Sequence, residues 1–313
     1  MSATQDLSYC GAELRKLDRD RFMTCLFAPP ERRESLFALY AFNQEVAKTP
    51  ERVSEPMIGQ MRIQWWREAI EGIYAGTPRE HAVVEALAQA VTEHELSRKY
   101  FDRLLDTREK DLDPEPPESL PALEDYADGT SATLTWLALE VLGVKEGPAM
   151  DAGRRAGVCY AMTGLLRAIP FHARERRVYI PRDLLSASSA KLSDIFALKP
   201  VEGLAPVVEQ LAAQAREHLM RARALRLDVP KAAVPALLPL TVADRYLRQL
   251  AKAGYNPFDP KVQRPLANPP CISVSTRRAD ATRPTRPQPA SPPASGRDRR
   301  GRGGSSSACG RAS

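Results

Sequence analysis

The sequence is short of the residues that staple or metallate a small fold. Its five cysteines (Cys10, Cys25, Cys159, Cys271 and Cys309) are widely and irregularly spaced, odd in number and form no CxxC pair. That excludes a disulfide framework and points to a reducing compartment. The four histidines, His81, His94, His172 and His218, show no metal-ligand spacing with cysteine or carboxylate, so a surface or capping role is the default for each. Long apolar runs are missing too. The stretch Ala232 to Ala243 carries Pro235 and Pro239 and falls well short of the roughly 20 residues a bilayer-spanning helix needs. No secretory leader is evident. With Asp6 and Glu13 in its first turns, the N-terminal segment lacks the Arg-rich, acid-poor character of a transit peptide. The expected location is cytoplasmic, of bacterial type.

Charge is scarce where it would matter for nucleic acid. The formal net charge of +6 is concentrated in residues 271–313, which hold nine arginines and two aspartates; residues 1–270 sum to −1. A nearly neutral body with neither a zinc-finger spacing nor an RNA-binding aromatic motif excludes the usual nucleic-acid modules. From about Ala267 onward the composition turns to Pro, Arg, Ser and Gly with no aromatic residue. Such a segment cannot bury enough surface to order itself. The domain expectation is therefore a helical domain over 1–266 and a disordered basic tail over 267–313. A shifted reading frame would give the same abrupt change, and composition does not separate the two.

What is present is helix. Pro29 and Pro30 open an amphipathic pattern over 31–46, with Leu36, Tyr40 and Asn43 on one face. Ser54, Glu55 and Pro56 precede a second helix through Ile58, Met61, Trp65, Ala69 and Ile73 to Gly76. A third segment runs from about Glu80 to Asp106, and a proline-rich connection, 113–121, leads to a helix over 123–142 that Gly143 closes. Two more helices are expected over 204–225 and 232–252, with 185–199 as a Ser-rich loop holding one short helix. Only Val178 to Ile180 reads as extended, so the class is all-α. Trp65, Trp66 and Trp136 sit at helical spacings and are assigned to packing rather than to ligand stacking.

The stretch from Gly157 to Asp183 has the layout of an active-site helix without its chemistry. An apolar run from Val158 to Leu166 delivers Arg167 toward Pro170, where the helix is expected to kink or stop. Arg174, Arg176 and Arg177 follow, then Tyr179. Together with Arg167 these arginines form either an anion cradle or a solvated loop. The first is favoured, since Arg167 ends a buried helix and an unpaired charge there is costly.

The motifs Ala38 to Phe42, Gly157 to Arg167 and Tyr179-Ile180-Pro181 resemble the squalene and phytoene synthase family over roughly residues 8–265. The resemblance implies a prenyl synthase-like bundle of helices around a central cavity. Family members place two aspartate-rich motifs on facing helices to hold magnesium ions that bind substrate diphosphates. Here those positions carry Ala47, Lys48 and Glu51, and Ala168 and His172. Alanine donates nothing, lysine repels a divalent ion, and neutral imidazole is a poor magnesium ligand. Pro50 and Pro170 each fall inside the four-residue interval that should be regular helix.

The runs Tyr40 to Val46, Ile58 to Trp66, Tyr126 to Gly143 and Gly164 to His172 resemble a branch of that family which lacks the aspartate motifs and includes a mitochondrial assembly factor for respiratory complex I. This implies a non-catalytic role in complex I (NADH:ubiquinone oxidoreductase) assembly, with a complex I subunit or assembly intermediate as partner and an isoprenoid or lipid as ligand of a degenerate cavity. The implied ligand-binding residues are Tyr40, Arg167, Arg174, Arg176, Arg177 and Tyr179, with no metal and no cofactor. The alternative is a magnesium-dependent head-to-head prenyl transferase of isoprenoid biosynthesis, recruiting Glu51 with Glu45 or Glu55. The basic tail adds a third expectation, contact with an anionic membrane surface, which would place the protein peripherally on the inner membrane.

Overall fold

The computed structural model describes residues 7–50, 56–198 and 201–266. The expectations for Glu51 and for 267–313 lie outside these residues. In chain order the helices are α1 (Tyr9–Leu17), α2 (Arg19–Cys25), α3 (Pro30–Ala47), α4 (Pro56–Tyr74), α5 (Ala82–His94), α6 (Arg98–Glu109), α7 (Leu120–Ala127), α8 (Thr133–Val141), α9 (Pro148–Arg174), α10 (Arg182–Ser186), α11 (Leu192–Phe196), α12 (Leu204–Ala224), α13 (Val234–Leu237), α14 (Pro239–Lys252) and α15 (Pro260–Gln263). Among the described residues there is no strand, as the sequence predicts; Val178 and Tyr179 are irregular backbone.

Two helices organise the body. α3 begins at Pro30, where a missing N–H costs nothing, and is buried on nearly every side through Leu36, Phe37, Leu39, Tyr40, Phe42 and Asn43. It packs against α1, α5 and α8. The Phe42 ring meets Trp66 and Phe101 edge-on at 5.2 and 5.5 Å, and burying rings of this size stabilises the fold by roughly 2–3 kcal/mol each. α9 organises the other half, packed by α12, α14 and α8 over a core of Val158, Cys159, Met162, Leu166 and Ile169.

α7 passes into α8 through a π-helical turn, Asp128–Ala132, which the sequence reading took as ordinary helix. α9 lies directly on that turn. A Cβ on Gly157 would stand 2.5 Å from Ala132 Cα and 2.7 Å from Ser131 O, so only glycine permits the approach. Buried Asp128 holds the turn by ion pairs to Arg103 (2.7 Å) and Arg154.

Several boundaries differ from the sequence reading. The segment 80–106 is two helices, because Glu95 adopts the left-handed conformation (φ 51°) and the Ser97 N–H and hydroxyl both donate to the Glu140 carboxylate (2.8 and 2.6 Å). The segment 232–252 is likewise divided, by Pro239 at the start of α14. The loop 185–199 holds parts of two short helices rather than one. Helices α1 and α2 lie upstream of the first helix the periodicity suggested.

Of the expected kink or stop at Pro170, the stop does not occur: α9 runs on to Arg174. Its end is closed by the Arg177 and Arg176 N–H groups, which donate to the carbonyls of His172 (2.8 Å) and Ala173 (3.0 Å). Beside the gap that Pro170 leaves, Gln263 Nε2 donates to the Arg167 carbonyl at 2.8 Å. Burial of Ile169, Pro170 and Ala173 offsets the cost of the proline.

Candidate functional site

Along α9, Tyr160 and Arg167 are two turns apart and share a face. Both line a cleft of about 360 Å³ with Asp18, Asp20, Val242 and Tyr246. The Arg167 guanidinium lies 3.4 Å from the centre of the Tyr246 ring, and its Nε donates to the Val262 carbonyl at 3.3 Å. A stacked, partly desolvated cation of this kind contributes about 1–2 kcal/mol. The Tyr246 hydroxyl in turn donates to Asp20 Oδ2 at 2.9 Å. Burial raises the Asp20 carboxyl above its ordinary value despite that bond and the nearby Arg167 and Arg19, and pushes Tyr246 up to about 12.

Behind the cleft sits Arg21, a residue the sequence reading did not single out. Its guanidinium lies 4.8 Å from the Tyr160 ring centre and 5.4 Å from that of Tyr40. It pairs with Asp18 at 2.9 Å, and Asp18 also accepts from Gln44 Nε2 at 3.0 Å. The aromatic faces that α3 and α9 turn toward Arg21 are therefore bridged by a paired cation. The alternating charges of Asp18, Arg19, Asp20 and Arg21 look solvated in sequence, and nothing in their spacing reveals that α3 and α9 enclose one of them.

Two of the remaining candidates, Arg177 and Tyr179, join a second cluster around buried Asp111. Tyr179 donates to Asp111 Oδ1 at 2.9 Å, and Arg108 donates to Asp111 Oδ2 (3.0 Å) and to the Tyr126 hydroxyl (2.9 Å). Arg177 donates to the Asp111 carbonyl. The His172 ring lies 4.8 Å from that of Tyr179, and burial drives its pKa down to about 4 against the opposing pull of Asp111. A cleft of about 510 Å³ opens here against the proline-rich connection, lined by Tyr126, Arg177, Tyr179 and Arg182.

The four arginines of the expected cradle thus have separate partners. Arg167 stacks on Tyr246, Arg174 on Phe171 (5.6 Å), Arg176 on Phe196 (5.3 Å), and Arg177 bonds Asp111. Tyr40 joins Arg167 only through Arg21 and Tyr160, while Tyr179 belongs with Arg177 and His172.

Of the positions that the resemblance marks for magnesium ligands, the described ones, Ala47, Lys48, Ala168 and His172, offer the ion no carboxylate. Ala47 is the last residue of α3, and Lys48 caps it through an N–H bond to the Gln44 carbonyl at 3.2 Å. Ala168 and His172 are partly buried on α9, and the depressed pKa keeps His172 a neutral imidazole. Hard divalent cations take oxygen donors. Among the described residues no three His, Cys, Asp or Glu side chains are grouped to hold a metal.

Comparison with known proteins gives a consistent picture. A family model described as squalene/phytoene synthase matches residues 14–269. A Bos taurus protein named NADH dehydrogenase (ubiquinone) complex I, assembly factor 6 is 35% identical over 256 residues, covering 82% of this chain and 77% of that one. Its Homo sapiens counterpart is 34% identical over the same share of each chain. A chloroplastic phytoene synthase 1 of Arabidopsis thaliana is 22% identical, covering 88% and 68%. The crystal structure of squalene synthase HpnC from Alicyclobacillus acidocaldarius superposes with a TM-score of 0.70 at 20% identity, covering 79% of this chain and 94% of the other. That likeness shows the fold: an all-α prenyl synthase-like bundle.

Proposed function

The chain belongs to the squalene/phytoene synthase family, and we propose that within it this protein is a non-catalytic factor for assembly of respiratory complex I. The observation that carries the reading is the chemistry of the two motif positions: Ala47, Lys48, Ala168 and a neutral His172 stand where family members hold magnesium, and the α3 and α9 faces that lead to them close on Arg21. Similarity to proteins named complex I assembly factor 6 supplies the process.

In this reading the protein binds a complex I subunit or assembly intermediate. A single isoprenoid or lipid chain occupies the cleft beside Arg167, whose volume of about 360 Å³ lies at the lower end of ordinary ligand sites. Arg21 and Tyr40 support it from behind its lining residues Tyr160 and Asp18, and Arg174, Arg176, Arg177 and Tyr179 follow beyond Arg167 along the chain. Among the described residues no helix is long and apolar enough to cross a membrane. In the same reading the basic segment beyond residue 270 meets an anionic membrane surface, and the protein works in the cytoplasm at the periphery of the inner membrane.

Deleting the gene and resolving membrane complexes on native gels tests the reading. Loss of assembled complex I with unchanged squalene and carotenoid content supports it. Normal complex I in the deletion strain contradicts it.

A further inference from the structure

The body sums to −1 over residues 1–270, but its charge is not evenly spread. α12 ends at Ala224 with Arg221 and Arg223 in its last turn, where cations meet the negative end of the helix. Beyond it the chain turns tightly. The Arg226 N–H donates to the Arg223 carbonyl at 3.2 Å and the Asp228 N–H to that of Leu225 at 3.0 Å, and Lys231 opens the single turn that leads into α13.

This end of α12 exposes apolar and cationic side chains together. Leu227 is 85% exposed, more than any other large apolar side chain among the described residues, and Met220 is 64% exposed. Arg221, Arg223, Arg226 and Lys231, all exposed, are interleaved with them along the chain. Carboxylates are fewer. Arg221 pairs with Glu217, while Arg223 and Arg248 of α14 share Asp244 at 2.7 and 2.8 Å. With Asp228 counted, five cations stand against three acids, a net +2.

A lone exposed leucine needs no explanation. A leucine held on a tight turn, beside a helix end with surplus positive charge, has the chemistry of an interfacial anchor. Its apolar chain enters the acyl boundary, and long cationic side chains reach back to the headgroups. We propose that this face, Met220 to Lys231 with Arg248, rests on an anionic lipid surface, whose negative potential the surplus charge complements. Leu227 and Met220 enter the interface, and Arg226, Lys231 and the two arginines on Asp244 meet the headgroups. The proposal rests on the peripheral-membrane part of the reading above and adds a contact made by the folded body, apart from the basic segment beyond residue 270.

Co-sedimentation of the full chain with vesicles tests it, using pure phosphatidylcholine and a mixture in which about a third of the lipid is phosphatidylglycerol. The wild type should bind the mixture at least about tenfold tighter than the neutral vesicles. Leu227→Glu, at a site too exposed to threaten folding, should weaken binding to the mixture about tenfold or more. Arg226→Gln with Lys231→Gln should weaken it about twentyfold at low salt, about fivefold for each charge, and less at high salt. Both losses should persist when the nine arginines of residues 271–313 are replaced by glutamine, which removes the tail contact alone. Binding that ignores the variants at 226, 227 and 231 but disappears with the tail arginines would overturn the inference and leave the tail contact standing. No binding by the wild type would overturn both. Loss with the charge variants but not with Leu227→Glu would mark a site for a soluble polyanion, and equal binding to the two kinds of vesicle would mark an apolar docking face; either would overturn the proposal.

Discussion

Pro50 and Pro170 fall in corresponding four-residue intervals, yet the two helices respond differently. α3 ends at Ala47, three residues before its proline, whereas α9 carries its proline inside regular helix to Arg174. A proline in a helix interior costs about 3 kcal/mol. α9 meets that cost because Ile169, Pro170 and Ala173 are all buried, its last turn is closed by backbone bonds, and His172 packs on Tyr179. What the pair teaches is that the absence of a carboxylate and the interruption of the helix are separate features. On α9 positions 168 and 172 carry no carboxylate while the backbone that presents them stays helical.

The largest expected effect tests the link between the two helices. Arg21 lies between Tyr40 and Tyr160 and is paired to Asp18. Arg21→Met should cost on the order of 3–5 kcal/mol by leaving a carboxylate poorly solvated and unpaired, read as a lowered denaturation midpoint. A change under about 1 kcal/mol would show that the halves are joined elsewhere. Next in size is Gly157→Ala, whose methyl meets backbone rather than a movable side chain. Overpacking of this kind costs about 1–3 kcal/mol, and thermal unfolding should fall by several degrees.

The two proline intervals can be compared directly. Pro170→Ala restores a donor for the Leu166 carbonyl and should stabilise by about 1–2 kcal/mol after the lost ring burial is deducted. Pro50→Ala, beyond the end of α3, should give no such gain. Equal responses would erase the distinction.

His172 supplies a pH test of similar size. Its folded pKa is about 4, against about 6.5 for an unfolded histidine. Between those values the unfolded chain binds the additional proton, so stability falls as pH drops from about 6.5 to 4, by at most roughly 3 kcal/mol. His172→Phe should flatten that slope, and an unchanged profile would mean that the imidazole is more solvated than its packing indicates.

The smallest effect is an absence of reaction. Burial pushes Cys10 up to about 11 and Cys159 up to about 12, and raises Cys25 further. In a Cys271→Ser, Cys309→Ser background the native protein should resist maleimide at neutral pH. In mild denaturant all three should label together, and earlier labelling of Cys159 would mark the α9 half as a separately opening unit.

Much of this architecture is legible in the sequence because helix starts are chemical. Pro30 opens α3 as the sequence predicts, whereas α7 starts at Leu120, inside the stretch read as a connection, with Ser119 capping it by accepting the Ala122 N–H. The breaks are harder to read. Nothing local in His94-Glu95-Leu96-Ser97 announces that Glu140, more than forty residues away, will hold Ser97 and end a helix. Pro170 misleads for the converse reason: its local cost is visible, while the burial that offsets it belongs to the tertiary structure. The site divides in the same way. Ala47, Lys48, Ala168 and His172 are identified by what they are not, which sequence shows well. Arg21, Tyr246 and Asp111 are identified by where they are, and a run of alternating charge or one tyrosine among nine carries no such signal.

The central claim is that the chain retains the family fold without its magnesium-dependent chemistry. Incubating the purified protein with farnesyl or geranylgeranyl diphosphate and magnesium, with a squalene or phytoene synthase in parallel, addresses it most directly. The account predicts no pyrophosphate release above the protein-free control. Release of pyrophosphate together with a coupled C30 or C40 product would contradict it.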